Sequence, residues 1–172
     1  MNQLIKDVIQ WGIDKNITGP NGKGTIERQF AKFIEELHEF LTAKNDEEKI
    51  DALGDMQVVA IQACVMVNGI NVQICGNSYG PPGEIHEEAA YAVWMLNDQP
   101  DQSFASTRAI ASASGFDPDE CLQAAYDVIS KRTGRMIDGA FVKSSDLPDE
   151  DLGELDPAKA CKLDGEGCES CQ

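Results

Sequence analysis

Five carboxylates stand at spacings that let them act together. Glu35, Glu36 and Glu39 lie in FIEELHEF (33–40), and Asp51 and Asp55 frame DALGD (51–55) shortly after. At about 100° per residue, the three glutamates fall within roughly a 100° arc of a helix. Glu35/Glu39 are an i,i+4 pair and Glu36/Glu39 an i,i+3 pair, so all three can converge on one point. Like charges at these spacings weaken a helix unless a cation gathers them. Oxygen donors of this kind suit a hard divalent cation, Mg²⁺ or Mn²⁺. The alternative is a solvated acidic face, with Asp55 paired to a Lys or Arg. For EExxE alone the two are balanced, and the second acidic pair tips the balance toward a metal. Asp55 weighs most, because it opens the run DMQVVAIQACVMV, which reads as buried on nearly every side. A carboxylate withdrawn from water is costly unless it is paired or metal-bound.

The elements that must position these groups are helices. Leu4, Ile5, Val8, Ile9 and Trp11 form one stripe over 2–15, and the Gly/Asn/Pro-rich NITGPNGKG (16–24) ends that segment. Thr25 is placed to cap a helix over 26–44, with an expected core stripe of Phe30, Phe33/Ile34, Leu37 and Phe40/Leu41. Asn45 with Glu48 three residues on is a capping-box pattern, and Gly69 is a helix stop, so a third helix runs to about Asn68. Two long helices joined by so few residues predict an antiparallel hairpin, with the two acidic pairs facing across its groove. Beyond the break CGNSYGPPGE (75–84), helices are expected over 84–97 and 103–114. Asp117-Pro118 opens another to about Lys131. RTGRMIDGAFVK (132–143) reads as irregular or weakly extended, and no longer period-2 pattern occurs. The expected fold is all-α: one domain over 1–143, and an acidic tail over 144–172 of low periodicity.

Bulk composition narrows the partners. The chain has 172 residues, 42% hydrophobic and 26% charged, with a formal net charge of -16. Such a charge argues against sequence-independent nucleic-acid binding, which needs a basic surface. A phosphate-bearing substrate would need metal ions or a local basic patch. No apolar run free of charged or polar breaks is long enough to predict a membrane span. The start carries Lys6 and Asp7 within its apolar pattern and is not read as a signal peptide. The expected location is therefore the reducing cytoplasm, with six reduced cysteines. Cys161, Cys168 and Cys171 in the tail are one ligand short of a zinc site, which Cys75 or His86 would have to complete.

The densest basic cluster is Lys131, Arg132 and Arg135, with Lys143 further on. It is suited to clamp phosphate; cations stabilising a helix C-terminus are the plainer alternative. Lys32 lies one turn before the glutamates and can reach phosphate or form surface ion pairs. His38 is read as a surface residue.

EELHEF followed by DALGDMQVV resembles the EExxE…ExxD signature of MazG-like nucleotide pyrophosphohydrolases of the all-α NTP pyrophosphatase superfamily. AAYDVISKRTGRMIDGAFVK is similar to the C-terminal part of phage-encoded members. The resemblance implies hydrolysis of a nucleoside triphosphate, as a deoxynucleotide, to monophosphate and pyrophosphate, with a weak lean to dGTP or GTP. It implies Mg²⁺ or Mn²⁺ held by Glu36, Glu39 and Asp55, with Asp51 a weaker ligand and Glu35 a ligand or general base. Arg132 carries over as a phosphate contact. Trp11 would stack on the base, although a core role for it is also open. A homodimer or homotetramer is implied, in the host cytoplasm if phage-encoded. One departure is clear: the first acid of ExxD falls on Ala52. Related alternatives are a phosphoribosyl-ATP pyrophosphohydrolase or a non-enzymatic acidic DNA mimic.

Overall fold

A computed structural model describes residues 2–74 and 83–147. Among the described residues the protein is all-α apart from one small hairpin. These residues form six helices in order: α1 (Gln3–Asp14), α2 (Ile26–Thr42), α3 (Asp46–Asn68), α4 (Ile85–Met95), α5 (Pro100–Ala113) and α6 (Pro118–Ile129). A two-stranded antiparallel ribbon, β1 (Gly134–Ile137) and β2 (Ala140–Lys143), and a short 3₁₀ turn over Ser144–Asp146 complete it. Cys75, Cys161, Cys168 and Cys171, and most of the acidic tail, lie outside the described residues.

Local chemistry sets the helix ends. Thr25 Oγ1 accepts from the Arg28 N–H and starts α2. Asn45 Oδ1 accepts from the Glu48 N–H, while Glu48 accepts in return from the Lys44 N–H and the Asn45 amide. Orphan N–H groups at the start of α3 are thus satisfied from both sides. Gly69, at φ 82°, ends α3 in the left-handed region. Only Ala43, Lys44 and Asn45 separate α2 from α3, and the two pack along their lengths as a helical hairpin.

α3 is the centre of the bundle, in contact with α1, α2, α5 and α6, while α4 packs on α5. Every residue from Ala52 to Val65 is buried except Asp55, which is half-buried. By length and composition α3 would suffice to cross a bilayer. It contains Asp55, Gln57 and Gln62, yet its mean hydropathy stays high. Here most of it is covered by its neighbours, as the core helix of a globular fold.

Two expectations need correcting and a third sharpening. In α2, Phe33 and Phe40 are buried and Leu37 half-buried, but Phe30, Ile34 and Leu41 are 39%, 41% and 62% exposed. The buried stripe instead runs Phe33–Glu36–Phe40, an i, i+3, i+7 set that carries a carboxylate. Second, α5 begins at Pro100 rather than 103, because proline suits the first helical position. Third, the extended part of 132–143 is a paired hairpin over 134–143, turning at Asp138-Gly139, whose φ of 47° and 80° match a two-residue turn with both central residues left-handed.

Candidate functional site

The acidic residues gather in one cleft of about 590 Å³. α2 contributes Lys32, Glu35, Glu36 and Glu39. α3 contributes Asp51, Asp55 and Gln62, and α1 contributes Trp11. The opposite wall comes from Arg132, just past α6, and from the hairpin through Gly139, Phe141 and Lys143.

Backbone fit brings these walls together. At Gly54 a Cβ would collide with the Cys121 carbonyl oxygen and sit 2.8 Å from Ala125 Cβ. The missing side chain lets α6 cross close against α3, so Arg132 arrives beside Asp55, with Nη2 3.7 Å from Oδ2. That is an ion pair too long to be a hydrogen bond. At Gly12 a Cβ would collide with the Gln62 carboxamide. Gln62 fills that gap, donating to the Val8 carbonyl at 2.9 Å and accepting from Thr18 Oγ1 at 3.1 Å. The hairpin is tied to α2 by Arg28 Nε, which donates to the Asp138 carbonyl at 3.2 Å.

The electrostatics centre on Glu36. Its side chain is 3% exposed, and Lys32 Nζ lies 2.7 Å from its Oε1. The same ammonium is 3.1 Å from Glu35 Oε1. Burial pushes the Glu36 carboxyl up to about 7; Lys32 pulls against this, and the charges of Asp55 and Glu39 add to it. Burial also raises Asp55, opposed by Arg132 and reinforced by Asp51. For Lys32, burial alone would lower the pKa, but its bonds and charge interactions with Glu36 and Glu35 outweigh that and raise it. The influence of Asp55 on Glu36 acts between the two helices, whereas that of Glu39 on Glu36 and of Asp51 on Asp55 acts along one helix.

Of the sequence-predicted residues, Glu35, Glu36, Glu39, Asp51, Asp55, Lys32, Arg132, Lys143 and Trp11 all line the cleft. Lys131 and Arg135 do not; Lys131 is exposed and Arg135 sits half-buried on β1. The basic cluster is therefore divided, with Arg132 alone of the three lining the cleft. His38 is exposed, as expected. Ala52 is buried in the core, whereas its neighbour Asp51 lines the cleft. A ligand at position 52 would point away from these acids, and Asp51 stands where a donor is useful.

Arg28, Gln62 and Phe141 were missed from sequence. Asp-Gly between MI and AF was the available sign of the hairpin that carries Phe141. Phe141 packs edge-on to Trp11, with ring centroids 6.1 Å apart at 67°. The Trp11 indole N–H is buried with no hydrogen-bond partner among the described residues. No sequence signal marks Gln62, whose role follows from the tertiary approach of α1 to α3.

Among the described residues no three His, Cys, Asp or Glu side chains are already arranged around one point. By donor chemistry the site fits a hard divalent cation. It offers carboxylate oxygens from two helices, one of them almost fully buried and strained by like charges. Side-chain rotation within the cleft would be needed to close such a shell. No family model, curated protein or solved structure matches the chain.

Proposed function

We propose that the protein is a divalent-metal-dependent nucleoside triphosphate pyrophosphohydrolase of the MazG-like, all-α type. The reaction is cleavage between the α and β phosphates, giving a nucleoside monophosphate and pyrophosphate. The observation that carries it is the cleft itself. In a chain of net charge -16, it sets the carboxylates of α2 and α3 against Arg132, Lys143 and Arg28 around a space of about 590 Å³. A solvated acidic face would not bury Glu36 or sink Asp55 between two helices.

In this reading Glu36, Glu39 and Asp55 hold the metal, with Asp51 a further ligand in place of the acid missing at Ala52. The bound cation supplies charge neutralisation of the triphosphate and acidification of a water. Glu35, at the exposed rim, receives the proton of the attacking water. Arg132 and Lys143 hold phosphate oxygens as the charge moves to the pyrophosphate leaving group. Trp11 and Phe141 offer an aromatic wall to the base. The lean to dGTP or GTP rests on the resemblance to phage members alone. Assembly as a homodimer or homotetramer is supported by the apolar strip of Phe30, Ile34 and Leu41 left exposed on α2. The proposed cytoplasmic location would keep Cys64 and Cys121, both buried and free among the described residues, as thiols.

The test is Mg²⁺-dependent release of pyrophosphate from a panel of ribo- and deoxynucleoside triphosphates. Asp55→Ala and Glu39→Ala should each lower turnover by at least about a hundredfold, more than loss of an outer-sphere partner. Absence of turnover with every nucleotide, together with metal binding unchanged in both variants, would refute the proposal.

A further inference from the structure

We propose that Lys32 is an internal substitute for the metal: its ammonium holds Glu35 and Glu36 until the cation arrives, then passes to the triphosphate. The inference rests on the pyrophosphohydrolase reading and adds a sequence of partners to it. Its basis is a contact geometry. Lys32 Nζ bridges two carboxylates, at 2.7 Å to Glu36 and 3.1 Å to Glu35, and among the described residues is the cation paired with each.

The two ends of this bridge are unequal. Glu36 is 3% exposed and cannot leave, whereas Lys32 is 45% exposed and lines the cleft with its long flexible stem. A divalent cation brought to Glu36 must therefore displace the ammonium rather than the carboxylate. The displaced charge stays in the cleft, next to the space the phosphates would fill. Arg132 has the corresponding relation to Asp55 on the other helix, at the looser distance of 3.7 Å. Bare metal thus competes with a bond already made, while metal arriving with a triphosphate gives Lys32 a new partner. Metal and triphosphate binding are consequently coupled positively, and by linkage each tightens the other. The cleft then discriminates against free metal and free triphosphate in favour of the two together.

The experiment titrates the full chain with Mn²⁺ at pH 8.5, so that a proton does not simply replace the ammonium, and follows binding by electron paramagnetic resonance. Lys32→Met should bind bare Mn²⁺ about tenfold tighter, as expected for removal of one charge-assisted competitor. The Mn²⁺ complex of tripolyphosphate should bind about tenfold more weakly to it. Lys131→Met is the control for general charge removal, since Lys131 is exposed and stands outside the cleft lining; it should shift bare Mn²⁺ affinity less than about threefold. Lys32→Arg should behave as the wild type. In the wild type with ¹³C-methylated lysines, the Lys32 signal should move when Mg²⁺ is added. Bare-metal affinity in Lys32→Met equal to wild type, or matched by Lys131→Met, overturns the exchange, as does unchanged tripolyphosphate binding. Failure of Mn²⁺ to bind wild type or any variant would overturn the pyrophosphohydrolase reading itself.

Discussion

Replacing Glu36 by Gln should stabilise the metal-free protein at alkaline pH, although it removes an ion pair. The Glu36 carboxyl is held at about 7 in the folded protein, against an ordinary 4.5, chiefly by burial. Raised in the folded state, it contributes stability that is fully present below pH 4.5 and is lost as pH rises through 7. Ionised Glu36 then costs the folded state up to about 3 kcal/mol relative to an uncharged group, at about 1.4 kcal/mol per tenfold change in proton affinity. The 2.7 Å bond to Lys32 is already counted in that balance, because it pulls the carboxyl down without overcoming burial. Wild type and Glu36→Gln should therefore be nearly equal near pH 4.5 and diverge above it, with the variant about 2–3 kcal/mol more stable at pH 8. Urea denaturation in EDTA at a series of pH values reads this directly as a shift in midpoint at constant slope. A variant less stable than wild type at pH 8, or a difference that does not change with pH, would refute the reasoning. Saturating Mg²⁺ should narrow the gap by stabilising wild type in proportion to its occupancy.

Gly54→Ala should destabilise the fold by about 2 kcal/mol, because the collision with Cys121 and Ala125 outweighs the gain in helix propensity; a thermal melt at or above the wild-type midpoint would count against the close α3–α6 crossing. The same variant should weaken binding of Mn²⁺-tripolyphosphate, since Arg132 reaches Asp55 only through that crossing. In a Trp94→Phe background Trp11 is the sole tryptophan, and its emission should change with a nucleoside triphosphate but not with tripolyphosphate. An equal response to both would remove Trp11 and Phe141 from the base-binding wall.

The helical frame was legible because its signals are local. Thr25, Asn45 with Glu48, Gly69 and Asp117-Pro118 each act within a few residues of chain, and each is found capping or ending a helix. The acidic set was legible for a related reason, as i,i+3 and i,i+4 spacings place side chains on one face whatever else the fold does. What periodicity could not decide was which face. Phe30 and Ile34 fit a core stripe as well as Phe33 does, and only the position of α3 selects Phe33, Glu36 and Phe40. The division of Lys131, Arg132 and Arg135 has the same origin. Near the end of α6 the chain turns into a hairpin, and adjacent cations are sent to different sides. Gln62 and Phe141 depend on contacts between segments distant in sequence, where a single chain read linearly carries little information.

The residue that best marks the site is the one that conflicts with its helix. A stripe built only for packing would carry Leu between Phe33 and Phe40, with about 2 kcal/mol gained from its burial. Glu36 there costs up to about 3 kcal/mol at neutral pH instead. The difference, about 5 kcal/mol, is comparable to the whole net stability of a small domain. Nothing in the fold requires that sacrifice: the helix caps, the three-residue link to α3 and the apolar contacts of Phe33 and Phe40 all stand without it. Conflict between local composition and global packing is expected where function sets the residue. Its neighbours agree, since Asp55 repeats the same conflict on α3, and Lys32 and Arg132 are spent neutralising the two. One buried and one half-buried acid, each facing a cation that is itself able to bind phosphate, make a site arranged to exchange partners rather than to hold a bundle together.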